Sequence, residues 1–211
     1  MSLLPITLSA RGVGHRFGAR LLYREISFTA RNSEVVAITG HNGSGKSTLL
    51  KIIAGLLQPV EGNVELQINN TLTDPAHRSQ YIGFVSPEMA LYQELTAVEN
   101  IRFFGTLRGQ HYDKAQLRAM LENVGLKGRG SDRVGDYSSG MKQRLKYLIA
   151  VMHDPEVLLL DEPGANLDVH GTKIVERMIG DRRNAGRVTI LATNEPEEEH
   201  WADCSIPVAA V

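Results

Sequence analysis

The sequence is poor in the features that would place it outside a reducing compartment. Its single cysteine, Cys204, cannot form an internal disulfide bond. No stretch approaches the roughly 20 apolar residues that a helix needs to span a bilayer. The segment Met1–Ala10 lacks the charged start and long apolar run of a signal peptide. We therefore expect a cytoplasmic protein that reaches a membrane only through a partner.

An excess of charge of one sign is also missing. Lysine and arginine number 23 against 24 aspartates and glutamates, so the formal net charge is −1. This balance indicates neither nucleic acid nor an anionic membrane as a partner. The length of 211 residues suffices for one compact domain and is too short for two.

The two ends of the sequence and its middle show different patterns. Short apolar or alternating runs predict strands near the ends, at Glu34–Thr39, Asn63–Ile68, Val157–Leu160 and Arg187–Thr193. A turn-rich loop is predicted at Asn69–Ser79, and a Gly-rich loop at Lys127–Gly135. We predict a single α/β domain over residues 1–211. Its core covers about 1–87 and 151–211, and a helical subdomain covers about 88–150.

Start signals for helices stand in the middle of the chain. Thr96 and Glu99 form a capping-box pattern ahead of an apolar run. Asp113 repeats that signal, with Gln116 three residues on, before a helix that is predicted to run through Val124, with Gly125 as the glycine that ends it. A third helix is predicted over Met141–Met152.

The segment Gly40–Ser47 reads GHNGSGKS and fits the phosphate-binding P-loop pattern. A predicted strand precedes it, and a helix predicted over Lys46–Leu57 follows, which is the context that this motif requires. The alternative is a glycine-rich turn between two core elements. The residues predicted to contact ATP here are Gly40, Asn42, Gly43, Ser44, Gly45, Lys46, Ser47 and Thr48.

The residue types of this loop suit a nucleoside triphosphate. Glycines let successive backbone N–H groups curve around a phosphate. Lys46 brings a cation to the β and γ phosphates, and the hydroxyl of Ser47 is a ligand for Mg²⁺.

Two carboxylates follow the apolar strand at Val157–Leu160. Strand ends are where open α/β sheets place their ligands. Asp161 is predicted to hold the Mg²⁺ shell, and Glu162 to act as the general base on the attacking water. The alternative is a solvated turn.

A third motif, YSSGMKQR at Tyr137–Arg144, opens a helix just upstream of the acidic strand. A serine and a glycine at a helix N-terminus suit an anion, although taken alone Ser138 is more typical of an N-cap.

The order of these three motifs resembles the ATP-binding subunits of ABC transporters across nearly the whole chain. Ala165–Asp168 resembles the loop that follows the acidic strand in that family, and Phe17 stands where the family carries an aromatic that stacks on adenine. The resemblance implies a P-loop NTPase core with a parallel central sheet, an N-terminal antiparallel β portion and a helical subdomain insertion.

The resemblance also implies a mechanism. Two ATPase domains, identical or different, face head to tail, so that Ser138 and Gly140 contact the nucleotide of the partner domain. Binding of ATP with Mg²⁺ closes the dimer, and hydrolysis opens it. This motion drives a transmembrane permease at the cytoplasmic face of the membrane. The third motif corresponds to the signature motif of the family. Its residues SSGMKQR resemble the signature of exporters, including the small ATPase of haem export in cytochrome c maturation.

The sequence departs from the family pattern at three places. Ser139 and Met141 replace the usual glycine and glutamine of the signature. Pro87 stands where the family has a glutamine, with Glu88 beside it. Asn194 replaces the switch histidine. We predict that Asn194 still senses the γ phosphate through its amide. The alternative is that it caps a helix beginning near Pro196.

Two other functions remain open from the sequence: a soluble ABC ATPase in an assembly process, and a non-hydrolysing regulatory module. Glu162 argues against the second, because the expected base is present. The run Glu195–Glu199 is expected to be solvated. Surface or turn positions are predicted for His15, His77, His111 and His170.

Overall fold

The computed structural model describes residues 4–209, which divide into two compact units. The core unit comprises the described residues up to Ser86, together with Glu156–Pro163 and the residues from Ile179 onward. The helical unit comprises Pro87–Pro155 and Gly164–Met178. The single-domain organisation over residues 1–211 stays a prediction from the sequence.

The core unit contains two sheets. The antiparallel sheet has the order β2-β1-β4-β5, with β1 at Ile6–Phe17, β2 at Arg20–Arg31, β4 at Glu61–Ile68 and β5 at Thr71–Leu72. The parallel sheet has the order β6-β7-β8-β3-β9, with β3 at Val35–Thr39, β6 at Ile82–Val85, β7 at Val157–Asp161, β8 at Val188–Thr193 and β9 at Cys204–Pro207. The predicted fold class is thereby confirmed.

The continuous apolar runs explain the parallel sheet. Every residue of β7 and β8 is buried, as expected for strands that are covered on both faces. Helix α1, Lys46–Ile53, packs its buried leucines and isoleucines into the same core as both sheets. This core fixes the ends of β3, β7 and β8 around the start of α1.

The helical unit has its own hydrophobic core, built from α2 at Ala97–Leu107, α3 at Lys114–Asn123 and α4 at Ser139–Val151. Both predicted capping boxes are confirmed. The side chain of Thr96 accepts the N–H of Glu99, and that of Asp113 accepts the N–H of Gln116. Helix α5, Val169–Asn184, and the short α6, Pro196–Glu199, complete the α-helices of residues 4–209. None of these helices is long and apolar enough for a membrane span.

The boundaries differ from the prediction at several elements. Helix α1 ends four residues before the predicted Leu57, because Gly55 adopts a left-handed φ of 78°. The loop predicted at Asn69–Ser79 contains β5 and most of a 3₁₀ helix, Pro75–Gln80, which is capped by the side chain of Asp74. The sequence patterns singled out no strand or helix at β1, β2, β6, β9 or α5.

Candidate nucleotide-binding site

The P-loop leads into α1 with backbone geometry that only glycine tolerates. Gly45 precedes the helix with φ at 102°, and no side chain caps the helix there. A Cβ atom on Gly45 would stand 2.7 Å from the ring of Tyr23. A Cβ atom on Gly40 would stand 2.4 Å from the carbonyl oxygen of Val208. Because no side chain caps α1, its first N–H groups are available to an anion.

The side chain of Lys46 is buried over this loop, with 5% of its surface exposed. Its ammonium donates hydrogen bonds to the carbonyl oxygens of Gly40 at 2.8 Å and His41 at 3.1 Å. An ammonium has three donors, and these two bonds hold it at the loop.

Ser47 and Asp161 meet as the prediction requires. The hydroxyl of Ser47 donates to Oδ1 of Asp161 at 3.0 Å. Burial raises the pKa of Asp161 above its usual value, and the hydrogen bond from Ser47 opposes that shift. A bound cation would favour the ionised carboxylate. A hydroxyl beside a carboxylate matches the hard oxygen ligands of Mg²⁺, which takes its remaining ligands from phosphates and water.

A cleft of about 310 Å³ brings the predicted base-stacking residue and the predicted general base together with the loop. Phe17 is 55% exposed at its edge. Glu162 holds a left-handed φ of 52°, and its N–H donates to the carbonyl oxygen of Ala192 at 2.9 Å. The residues that line the cleft are Phe17, Arg20, Leu22, Asn42, Gly43, Gly45, Lys46, Ser47, Thr48 and Glu162.

Asn194 lies in a second cleft, of about 480 Å³, which is lined in part by the first residues of the P-loop and has Asn42 in common with the first cleft. Its lining residues are Thr39, Gly40, His41, Asn42, Thr193, Asn194, Glu195 and Glu199. The alternative that Asn194 caps α6 is wrong. Glu195 precedes that helix without a side-chain cap, and its N–H donates to the hydroxyl of Thr193. The acidic run is not solvated throughout, because Glu198 is only 7% exposed.

The signature residues lie in the helical unit. Ser138 is the N-cap of α4, and its hydroxyl accepts the N–H of Met141 at 3.2 Å. A Cβ atom on Gly140 would come within 3.1 Å of the carbonyl oxygen of Asn166. That spacing is tight enough to favour glycine at this position.

Pro87 and Glu88 form an exposed turn after Val85, the last residue of β6. The carbonyl oxygen of Pro87 accepts a hydrogen bond from Lys146 at 3.0 Å. Their role at a nucleotide stays a prediction.

The sequence patterns missed two residues of the first cleft and misplaced a histidine. Arg20 and Leu22 lie on β2 and line the cleft. An alternating apolar pattern could have placed them there only if the pairing of that strand had been known. His15 was expected at the surface or in a turn, and this is wrong, since it is 5% exposed within β1. The other three histidines, His77, His111 and His170, are exposed.

Comparisons with known proteins agree with this geometry. A family model described as ABC transporter matches residues 23–165. The ABC transporter ATP-binding protein NatA of Bacillus subtilis is 36% identical over 184 residues, which cover 86% of this chain and 74% of NatA. The linearmycin resistance ATP-binding protein LnrL of the same species is 34% identical over 193 residues. That match covers 90% of this chain but 62% of LnrL, less than two thirds of its length.

A solved structure of a dimeric ATP-binding cassette, in a post-hydrolysis state with ADP and phosphate, shows the same fold. Its TM-score is 0.81 at 23% identity, over 95% of this chain and 94% of the cassette. The family model spans more than half of the sequence, and NatA is related along most of its length. This chain therefore belongs to the ABC transporter family of ATP-binding proteins.

Proposed function

We propose that this chain binds and hydrolyses Mg-ATP as the ATP-binding subunit of an ABC transporter, and that it powers a separate membrane permease through ATP-driven closure of a dimer. One observation carries the proposal. The cleft of about 310 Å³ unites an exposed aromatic ring, Phe17, with the loop cation, Lys46, and a carboxylate, Glu162. These three residues match, in order, the base of ATP, its phosphates and the water that attacks them.

Binding rests on the start of α1. The uncapped N–H groups after Gly45 and the ammonium of Lys46 bind the phosphate oxygens. Ser47 and Asp161 hold the Mg²⁺ that accompanies the nucleotide and neutralises charge on its phosphates. Phe17 stacks on the adenine ring.

Hydrolysis rests on Glu162, whose backbone is fixed by its bond to Ala192. The carboxylate accepts a proton from water as the water oxygen attacks the γ phosphorus. The bond from that phosphorus to the bridging oxygen breaks, and ADP and phosphate leave. Asn194 offers an amide donor in the neighbouring cleft, where it senses the γ phosphate.

The dimer is proposed from the family and from the cassette whose solved structure is dimeric. In this arrangement the hydroxyl of Ser138 donates to the nucleotide held by the partner domain, since its acceptor side already holds the N–H of Met141.

A surface of the helical unit suits the membrane partner. Tyr92 and Phe103 pack edge to face at 4.7 Å between ring centroids, yet 46% and 38% of their surfaces stay exposed. Asn100 holds Tyr92 in place, because its amide bonds both the N–H and the carbonyl oxygen of that residue. Leu107 adds a side chain that is 69% exposed. Exposed apolar patches of this kind are typical of protein interfaces. The partner is a permease at the cytoplasmic face, and neither nucleic acid nor a particular cargo is part of the proposal.

The test uses Glu162→Gln, which keeps the size of the side chain but removes the base. We expect this variant to bind Mg-ATP and to release phosphate about a hundredfold more slowly or worse. Its closed dimer should therefore accumulate, which light scattering during size-exclusion chromatography detects. The matched control is Glu176→Gln, at an exposed position of α5, which should behave as wild type.

Two outcomes contradict the proposal. A monomeric Glu162→Gln variant at saturating Mg-ATP would contradict closure of the dimer by ATP alone. Equal and negligible phosphate release by wild type and Glu162→Gln would favour the non-hydrolysing regulatory module.

A further inference from the structure

His15 is a buried histidine next to the base-binding end of the cleft. It is 5% exposed, and its ring meets that of Phe17 at 4.9 Å between centroids with an interplanar angle of 81°. This edge-to-face arrangement lies within the favourable range for aromatic pairs.

Polar contacts do not explain why a histidine is buried there. Within residues 4–209, neither ring nitrogen of His15 has a hydrogen-bond partner. Burial of an imidazole without such a bond is unfavourable, so the position calls for another reason. The interaction that the structure records for this ring is the contact with Phe17.

The pairing of β1 with β2 is irregular at this point. His15 lies opposite Tyr23 while Arg16 lies opposite Leu21, so Leu22 is one extra residue on β2. Bulges of this kind re-aim side chains and are frequent beside functional sites. Leu22 lines the cleft, and Tyr23 lies where a side chain on Gly45 would clash. The strand segment that pairs with His15 therefore also packs against the P-loop.

An aromatic side chain that is more than half exposed has little packing to hold its ring. Phe17 is in that situation, at the end of β1. The contact with His15 restricts its ring before a base arrives, so less conformational freedom is lost on binding.

We propose that His15 is a positioning residue that fixes the ring of Phe17 for stacking on the adenine base. The proposal rests on the proposed function, in which Phe17 is the residue that stacks.

The experiment separates the base from the phosphates of the nucleotide. Kd is measured by titration calorimetry for Mg-ATP and for magnesium tripolyphosphate, which has no base. The proteins are wild type, His15→Leu, Phe17→Ala and the double variant. We expect His15→Leu to weaken ATP binding about threefold to tenfold, the range of one aromatic pair, and to leave tripolyphosphate binding unchanged. In the Phe17→Ala background, His15→Leu should have no further effect on ATP binding.

Rescue and spectroscopy keep the test independent of packing damage. His15→Phe retains an aromatic edge without the nitrogens, and it should recover wild-type Kd for ATP. In the wild-type protein, the NMR signal of the His15 ring proton Hε1 should shift when Mg-ATP is added but not when tripolyphosphate is added.

Three results would overturn the proposal. The first is that His15→Leu weakens the binding of ATP and of tripolyphosphate equally. His15 would then act on the phosphate-binding loop and not on the base. The second is an equal loss of ATP affinity when His15→Leu is made in the wild type and when it is made in Phe17→Ala. The third is unchanged ATP binding in Phe17→Ala, which would remove base stacking itself. Phosphate binding is tested separately by Lys46→Ala, so this third result would leave the ATPase proposal standing.

Discussion

The two helix N-termini that the sequence marks as anion sites differ in structure. Helix α1 begins after Gly45 without any side-chain cap, so its first N–H groups are open to a ligand. Helix α4 begins with Ser138, whose hydroxyl already accepts the N–H of Met141. The two motifs are similarly rich in glycine and serine, yet the first site is open and the second is partly closed by its own side chain.

The surroundings of the two helix starts differ as well. At α1, the end of β7 supplies Asp161, which bonds Ser47. At α4, the nearby cations are bonded to carbonyl oxygens of the helical unit: Lys142 bonds Gly135, and Arg144 bonds Gly125. Within the described residues, the start of α1 therefore combines uncapped N–H groups with a hydroxyl and a carboxylate, whereas α4 offers mainly one hydroxyl donor. This difference supports the proposal that the start of α1 binds the nucleotide directly and that Ser138 makes an accessory contact.

The largest effect is expected from removing the cation at α1. Lys46→Ala should lower phosphate release by at least about a hundredfold and greatly weaken ATP binding, because the phosphates lose a charge-assisted donor. Phosphate release and nucleotide titration measure both quantities. The control is Lys173→Ala, at an exposed position of α5, which should be unaffected. Wild-type turnover in Lys46→Ala would show that the start of α1 is not the primary binding site for the phosphates.

An intermediate effect is expected at the edge of the same site. Asn194→Asp should reduce turnover about tenfold to a hundredfold, since a carboxylate there repels the γ phosphate. The melting temperature should hold, because Asn194 is exposed and caps no helix. Asn194→Ala should lose activity clearly, and Asn194→His should retain part or all of it. Unchanged turnover in Asn194→Asp would show that residue 194 does not contact the γ phosphate.

The smallest effect is expected at the start of α4. Ser138→Ala removes the cap and should lower the free energy of unfolding by about 1 kcal/mol, a melting shift of about 2–4 °C. Ser138→Asp retains a capping oxygen, so it should keep the stability of the wild type, but it should lose ATPase activity because it brings a carboxylate to the partner's phosphates. Thermal melting and phosphate release distinguish the two roles. Full activity in Ser138→Asp would mean that the residue is only a cap.

The sequence could indicate much of the candidate site because the chemistry of its motifs is local. The P-loop needs glycines at Gly40 and Gly45 with Lys46 and Ser47 beside them, and these are consecutive or nearly so. The capping boxes at Thr96 and Asp113 depend on residues three apart, so they too were predicted correctly. The strand at Val157–Leu160 was evident from its apolar run, to which the structure adds Asp161.

Other features were beyond local patterns. The two-residue β5 depends on its pairing with β4. The end of α1 at Gly55 was instead a local signal that the sequence analysis overlooked, since the N–H of Leu56 bonds the carbonyl oxygen of Lys51 across that glycine. The cleft residues Arg20 and Leu22 are identified only by strand pairing. The burial of His15 was predicted wrongly, because a polar residue in an irregular strand gives no periodic signal.

By itself, the sequence determined the phosphate loop, the carboxylates that follow β7 and the order of motifs that resembles the ABC family. Only the tertiary structure decided that Ser47 meets Asp161, 114 residues away, and that Phe17 shares a cleft with Glu162. The cap that Ser138 places on its own helix is local, and the sequence had already offered it as an alternative; the structure shows that it forms, while Gly45 leaves α1 open. The physical reason is that hydrogen bonding and backbone strain within a few residues are encoded locally. Contacts between distant segments depend instead on how the sheets pack around one core.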